Sequence, residues 1–199
     1  MEIKKIYISG AHSTGKTTLI NDLKPYVNHL SFEEEIARDI IKQYKWERND
    51  FLPSEKPRNF EKLNTEILRA QISLANNYEE SQRDFLCDRC MDPLAYAKVY
   101  LDDESVQRML GIPGINEWFQ KLKSALIFLV EPQQECIKDD SVRLVSTLSD
   151  LKYFTEVLKD IMKEEDVPFV CIPMLDRMER VKFVLDVIEK HYPNTVLSV

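Results

Sequence analysis

Eight residues near the start of the sequence have the types and spacing of a phosphate-binding loop. The run from Gly10 to Thr17 reads Gly-Ala-His-Ser-Thr-Gly-Lys-Thr and lies between a predicted strand and a predicted helix, the context that makes this pattern specific. Gly10 and Gly15 allow backbone angles and a close approach that a Cβ would block. We expect the loop to bind the phosphates of a nucleoside triphosphate through Gly10, Ala11, His12, Ser13, Thr14, Gly15, Lys16, Thr17 and Thr18.

Two side chains of the loop have separate expected roles. Lys16 would reach the β- and γ-phosphates, and the Thr17 hydroxyl would ligate Mg²⁺. Thr18 has a second interpretation as a helix-packing residue, and His12 faces either the donor phosphates or solvent. The loop therefore predicts Mg²⁺ and either ATP or GTP as cofactors.

An acidic and a basic residue follow the third predicted strand. Asp88 at the carboxyl end of a parallel strand would lie beside the loop and support the metal, and Arg89 could reach phosphates of the donor or the acceptor. An exposed ion pair is the alternative interpretation. Asp92, just before Pro93, either caps the next helix or faces the acceptor.

A glutamate cluster follows the second predicted strand and should lie on the acceptor side of the crevice. One carboxylate there could accept a hydroxyl proton during phosphoryl transfer, and we select Glu34 as this base. Arg38 could bind polar groups of the acceptor. The alternative is that Glu34 and Arg38 form only an i,i+4 pair on a helix.

The polar segment 131–149 has the position of a lid over the phosphates. Arg143 in this segment could neutralise charge in the transition state, and closure would exclude water from the γ-phosphate. An arginine in a solvated loop is the other interpretation.

These residues need a scaffold of alternating strands and helices, which is typical of a parallel sheet covered on both faces. Strands are predicted at 4–9, 27–32, 84–88, 125–130 and 167–172; helices are predicted at 15–24, 34–44, 59–80, 93–101, 116–122, 151–164 and 177–192. The inward positions of the last helix are predicted as Met178, Val181, Leu185 and Ile188. With 199 residues and no linker, we expect one domain spanning 1–199.

Composition argues against several classes of function. A net charge of −7 argues against a broad nucleic-acid surface, and no apolar run approaches the length of a membrane span. No targeting segment is visible, and the four cysteines lack a disulfide spacing, so we expect a cytoplasmic protein with reduced thiols. Cys87-Asp-Arg-Cys90 ends a strand, whereas a redox Cys-x-x-Cys normally opens a helix.

Three stretches together resemble a known family. They are Tyr7 to Thr18, Glu34 to Arg38, and Cys87-Asp-Arg-Cys-Met-Asp-Pro-Leu-Ala-Tyr96; Phe128 to Pro132 and Asp140 to Arg143 add a weaker match. The sequence resembles the AAA-type P-loop family that contains the nicotinamide riboside kinase domain of bacterial NAD-regulatory proteins. The resemblance implies a P-loop fold with a five-stranded parallel sheet in a three-layer, nucleotide-kinase-like sandwich. It also implies ATP or GTP as donor and a small nucleoside-type acceptor.

Two functions remain open at this point. The first is a kinase that transfers the γ-phosphoryl group to a nucleoside-like hydroxyl. The second is a nucleotide-dependent regulatory protein that binds GTP or ATP, and phosphoinositides as some eukaryotic relatives are thought to do, without a small acceptor. The guanine-specific Asn-Lys-x-Asp of small GTPases does not occur in the sequence.

Overall fold

The computed structural model describes residues 3–33, 36–134, 147–172 and 176–197. Within these ranges the chain forms a five-stranded parallel sheet with strand order β2-β3-β1-β4-β5. The strands are β1 (Lys5–Ser9), β2 (Ser31–Glu33), β3 (Phe85–Asp88), β4 (Leu126–Val130) and β5 (Val170–Ile172). The predicted fold class is therefore confirmed.

The register of the central strands determines which residues meet at the carboxyl edge of the sheet. Ile8 of β1 lies opposite Asp88 of β3, and Ser9 lies opposite Leu129 of β4. Because parallel strands end at the same edge, the loop after β1 and the residues after β3 lie side by side. Chain segments far apart in sequence are thereby brought together.

Eight α-helices in the described ranges surround this sheet. They are α1 (Lys16–Leu23), α2 (Ile36–Tyr44), α3 (Pro57–Glu80), α4 (Asp92–Tyr100), α5 (Asp103–Leu110), α6 (Ile115–Lys123), α7 (Leu148–Glu164) and α8 (Arg177–His191). None of the helices described here is long and apolar enough to span a membrane.

Alternate side chains of the strands build two cores. Ile6, Ile8 and Phe128 pack against α1 and α8 on one face of the sheet. Tyr7, Ile127 and Leu129 pack on the other face, against α3, α4, α6 and α7. This alternation follows from the two-residue period of a strand and produces three layers.

A third apolar cluster lies away from the sheet, between α2 and α3. Its buried members are Ile40, Phe51, Phe60, Leu63 and Ile67. A short 3₁₀ helix, Arg48–Asp50, precedes Phe51 in the connection between the two helices. This cluster forms one wall of the pocket discussed below.

Several sequence predictions about the elements were wrong. The second strand is shorter and later than 27–32, because Leu30 donates to Val27 in a turn and pairing with β3 begins only at Ser31. Helix α5 was not predicted, although Asp102 caps it by accepting from the Ser105 amide at 2.7 Å. Met178 is 63 % exposed, and the buried positions of α8 are Arg180, Val181, Val184 and Ile188.

Candidate functional site

The loop after β1 has the backbone that its glycines predict. Gly10 has φ 133°, and a Cβ there would lie 2.7 Å from the Val130 carbonyl oxygen. Gly15 has φ 85° and directly precedes α1. Only glycine tolerates both the left-handed angle and the contact at Gly10, so β4 and the loop can approach this closely.

Lys16 is buried and its ammonium group faces the loop. Its Nζ donates to the carbonyl oxygens of Gly10 at 2.8 Å and Ala11 at 2.5 Å. The Thr14 hydroxyl also donates to Ala11, and Arg180 of α8 donates to the Thr14 carbonyl at 3.4 Å. These contacts order the loop around the lysine that would neutralise phosphate charge.

Asp92 joins the loop to the start of α4. Its carboxylate is fully buried and accepts from the Ser9 hydroxyl at 2.6 Å, the Gly10 amide at 3.1 Å and the Cys90 amide at 2.8 Å. Arg89 donates to the same carboxylate at 3.2 Å. Asp92 is the first residue of α4 and bonds to groups that precede the helix, so it is not the cap of that helix.

Arg89 has an uncommon backbone conformation at the end of β3. Its φ is 76°, and its amide donates to the Ile8 carbonyl at 2.9 Å. Burial opposes its charge, yet the Tyr96 oxygen and the carboxylates of Asp92 and Asp88 raise the pKa of Arg89 above its ordinary value. The guanidinium is therefore always charged. Positive φ at a non-glycine residue is a feature that clusters at functional sites.

His12 of the loop contacts Tyr96 of α4. The His12 Nδ1 and the Tyr96 hydroxyl are 3.0 Å apart, and the two rings are nearly parallel with centroids 6.1 Å apart. Burial raises the pKa of Tyr96, so its hydroxyl stays protonated at neutral pH. The His12 side chain is buried rather than solvent-facing.

One pocket connects these groups to helices α2 and α3, and we call it the α2–α4 pocket. The loop, the end of β3, α2 and α4 contribute polar residues, which are His12, Thr17, Arg38, Asp88, Arg89 and Asp92. Apolar and aromatic walls come from Ile41, Phe51, Phe60, Leu63, Ile67 and Tyr96. Asn64 and Gln71 of α3 are further polar lining residues. The site thus combines a charged region beside the loop with an apolar recess.

The structure brings six of the predicted side chains together in this pocket: His12, Thr17, Arg38, Asp88, Arg89 and Asp92. Thr18 is exposed on α1, so its interpretation as a packing residue is wrong. The predicted base Glu34, Arg143 and most of the predicted lid lie outside the described residues. Glu33, next to Glu34, accepts a hydrogen bond from the Tyr78 hydroxyl at 2.5 Å.

Two polar residues of α3 that line the pocket were not predicted from the sequence. Asn64 and Gln71 are buried on the same face as Phe60, Leu63 and Ile67, at helical spacings of three and four. Two amides on an otherwise apolar helix face were the signal that could have found them. Arg180 was also missed.

The Cys-x-x-Cys pattern is not a redox centre. Cys87 and Cys90 are buried free thiols, and burial raises the pKa of both well above the usual range. The thiolate is the reactive form, so these residues are inert packing groups around Asp88 and Arg89.

The donor set in the pocket fits Mg²⁺. Thr17 and Asp88 supply a hydroxyl and a carboxylate oxygen to the same pocket. Mg²⁺ in phosphate sites binds one or two protein oxygens and completes its shell with water and substrate phosphates. Among the described residues there is no group of three or more His, Cys, Asp or Glu side chains that would form an all-protein metal cage.

A parallel sheet whose first strand leads through a glycine loop into a helix defines the P-loop class of nucleotide-binding proteins. Within that class, a family model described as an AAA domain matches residues 5–180. The chain therefore belongs to this AAA-type P-loop family, as the sequence resemblance indicated. A search of curated proteins found no match.

Solved structures share this fold at low sequence identity. Two are crystal structures of NadR protein: one in complex with NR (19 % identity, TM-score 0.70) and one with NAD and AMP-PNP (19 %, 0.72). They cover 99 % of this chain, which spans only 54 % and 51 % of theirs. Deoxyadenosine kinase from M. mycoides covers 94 % of this chain and is itself covered to 99 %, at 13 % identity and TM-score 0.65. The fold is thus that of P-loop small-molecule kinases.

Proposed function

We propose that the chain is a kinase that transfers the γ-phosphoryl group of ATP or GTP, with Mg²⁺, to a hydroxyl of a small nucleoside-like acceptor. One observation carries this proposal: Thr17, Asp88 and Arg89 line the same pocket as the apolar walls from α2 and α3. A protein that only bound and hydrolysed a triphosphate would not need an apolar recess continuous with its phosphate loop. The recess has the character of a small-molecule site.

On the donor side, each loop residue has a role that its contacts support. The loop amides and Lys16 bind phosphate oxygens, and Lys16 exchanges its bonds to two loop carbonyls for bonds to the phosphates. Thr17 and Asp88 hold Mg²⁺, which neutralises phosphate charge when bound. Arg89 binds the transferring phosphoryl group, and Asp92 positions Arg89 and the Gly10 amide.

On the acceptor side, Glu34 has the role of proton acceptor and Arg38 the role of orienting the acceptor. Glu34 accepts the hydroxyl proton as the acceptor oxygen forms its bond to the γ-phosphorus and the bond to the diphosphate leaving group breaks. Arg38 lines the pocket and binds polar groups of the acceptor. Arg143 closes over the phosphates with the segment 131–149.

Solved structures that share the fold support a nucleoside-like acceptor. NadR protein has been crystallised with NR and with NAD and AMP-PNP, and deoxyadenosine kinase with dCMP. An acidic chain with three described free thiols also fits our proposal of a cytoplasmic enzyme.

The test is a transfer assay with an unbiased acceptor panel. Purified protein is incubated with Mg²⁺, ATP or GTP, and a pool of nucleosides, nucleotides and vitamins, and mass spectrometry detects any species that gains one phosphoryl group. We expect one acceptor class to be phosphorylated by the wild type and not by Lys16→Ala. Triphosphate binding without any phosphorylated product would refute the kinase and favour the nucleotide-dependent regulatory protein.

A further inference from the structure

Gln71 is a buried amide in the middle of α3 that faces the α2–α4 pocket. The residue is 2 % exposed and lines the pocket. Neither Nε2 nor Oε1 has a hydrogen-bond partner among the residues that the structure describes. A buried primary amide with both functions unsatisfied is uncommon, because each lost bond to water carries a desolvation cost.

Three other polar lining groups, those of Asn64, His12 and Asp92, differ from Gln71 because they have hydrogen-bond partners. The Asn64 side chain, two turns earlier on α3, donates from Nδ2 to the Phe60 carbonyl at 2.9 Å. The His12 ring bonds to Tyr96, and the Asp92 carboxylate accepts four hydrogen bonds. Gln71 is therefore a lining side chain whose donor and acceptor both lack a partner among the described residues.

The surroundings of Gln71 restrict what that molecule can be. Phe51, Phe60 and Ile67 form apolar walls of the same pocket, and Phe60 meets the Tyr96 ring edge to face, with centroids 6.2 Å apart. Such walls fit a flat ring rather than a hydrated polar group. A ring that buries a polar edge here requires a partner for that edge.

We propose that Gln71 is a specificity-determining residue that recognises the ring of the acceptor by forming two hydrogen bonds with it. The acceptor class is a nucleoside whose base or carboxamide presents an N–H donor beside a carbonyl or ring-nitrogen acceptor. This inference rests on the proposed function, in which the α2–α4 pocket holds the acceptor. Because the amide carries one acceptor and two donors, it matches such an edge and rejects a ring without one.

A role in ligand recognition and a role in stabilising the fold predict opposite effects of Gln71→Met on the melting temperature. Methionine keeps the approximate volume and removes both unsatisfied polar functions, so the ligand-free variant should melt at the same temperature as the wild type or higher. Its affinity for the matching nucleoside should fall roughly 10- to 100-fold, the value of two neutral hydrogen bonds. A structural glutamine would instead lower the melting temperature.

The experiment measures binding by calorimetry in the presence of Mg²⁺ and AMP-PNP. The probes are adenosine, cytidine, thymidine and nicotinamide riboside, with a ribose C-linked to a plain benzene ring as the analogue without a polar edge. Wild type, Gln71→Met and the matched control Gln107→Met are compared, because Gln107 is an exposed glutamine on α5. Phosphoryl transfer to each probe is followed in parallel by mass spectrometry.

We expect the wild type and Gln107→Met to prefer at least one edge-bearing nucleoside over the benzene analogue by 10-fold or more, and Gln71→Met to lose that preference. The inference is overturned if Gln71→Met still prefers an edge-bearing nucleoside over the benzene analogue. It is also overturned if the wild type prefers no edge-bearing nucleoside. In either case, phosphoryl transfer to any probe would leave the proposed function standing. Preference lost in Gln71→Met without transfer by any variant supports the binding role and refutes the kinase.

Discussion

The buried carboxylate of Asp92 accepts a hydrogen bond from the backbone amide of Gly10, 82 residues earlier in the chain, at 3.1 Å. The same carboxylate accepts from Arg89 at 3.2 Å. One side chain therefore sets the position of the phosphate loop relative to the arginine proposed to bind the transferring group. This coupling fixes the relative position of two groups that are both proposed to bind phosphate.

Replacing Asp92 tests this coupling. Asp92→Asn removes the charge beside Arg89 and turns one acceptor into a donor that faces amide and hydroxyl donors, so the free energy of unfolding should fall by about 2–4 kcal/mol. Triphosphate affinity should fall as well. Urea denaturation measures the first effect, and Asp103→Asn is the control, because Asp103 is exposed and should change stability by less than about 0.5 kcal/mol. Equal stability of both variants would contradict the coupling.

Gly10 should tolerate no side chain. Gly10→Ala adds a Cβ that would lie 2.7 Å from the Val130 carbonyl oxygen, at φ 133°, and we expect a loss of about 2–4 kcal/mol together with weakened triphosphate binding. Gly111→Ala is the matched control, because Gly111 has φ −80° and its Cβ would meet the nearest atom at 3.3 Å. Thermal denaturation should separate the two variants clearly; a similar small shift for both would argue against the close contact.

Asp88 and Thr17 should support metal-dependent activity without supporting the fold. Asp88→Asn and Thr17→Val should each reduce phosphoryl transfer by about 100-fold or more, while the melting temperature without ligand changes little. Removing Mg²⁺ with EDTA should abolish transfer by the wild type. A transfer assay at increasing Mg²⁺ concentrations checks the prediction, and wild-type turnover by Asp88→Asn would exclude its metal role.

Glu61 links α3 to α5 and should contribute to stability in a pH-dependent way. Its two carboxylate oxygens accept from Arg108 at 2.7 and 2.9 Å, and these hydrogen bonds lower the pKa of Glu61 below its ordinary value of 4.5. A depressed folded-state pKa means that the stabilisation is present above pH 4.5 and is lost as the pH falls through the folded-state value.

Glu61→Gln should therefore cost about 0.5–1 kcal/mol at pH 7 and flatten the loss of stability on the acid side. Urea denaturation between pH 3 and pH 7 measures both effects. Arg108→Gln should have the same consequence, and the double variant should lose no more than either single change. Additive losses would mean that the pair is not coupled.

Much of the fold could be predicted because local sequence patterns indicate many of its strands and helices. The buried strands β1 and β4, the apolar periodicity of α3 and the glycine loop each depend on neighbours within a few residues. The second strand could not be placed correctly, since only three residues pair with β3 and the turn before them begins and ends with the buried apolar residues Val27 and Leu30. Helix α5 was missed although its cap, Asp102, is visible in the sequence.

The sequence by itself determined the P-loop class, because the spacing from Gly10 to Thr17 between a strand and a helix is a local pattern, and it predicted phosphate-binding roles for Asp88 and Arg89. Tertiary structure decided what lies beside that loop. The sequence left Asp92 as a candidate helix cap or acceptor ligand, whereas the structure shows that its carboxylate joins the phosphate loop to the start of α4. The tertiary structure also places Gln71 of α3 in the same pocket as Thr17 and Arg89. Such relationships depend on strand order and helix packing, which bring together residues more than 50 positions apart along the sequence. No local pattern encodes which distant residues meet.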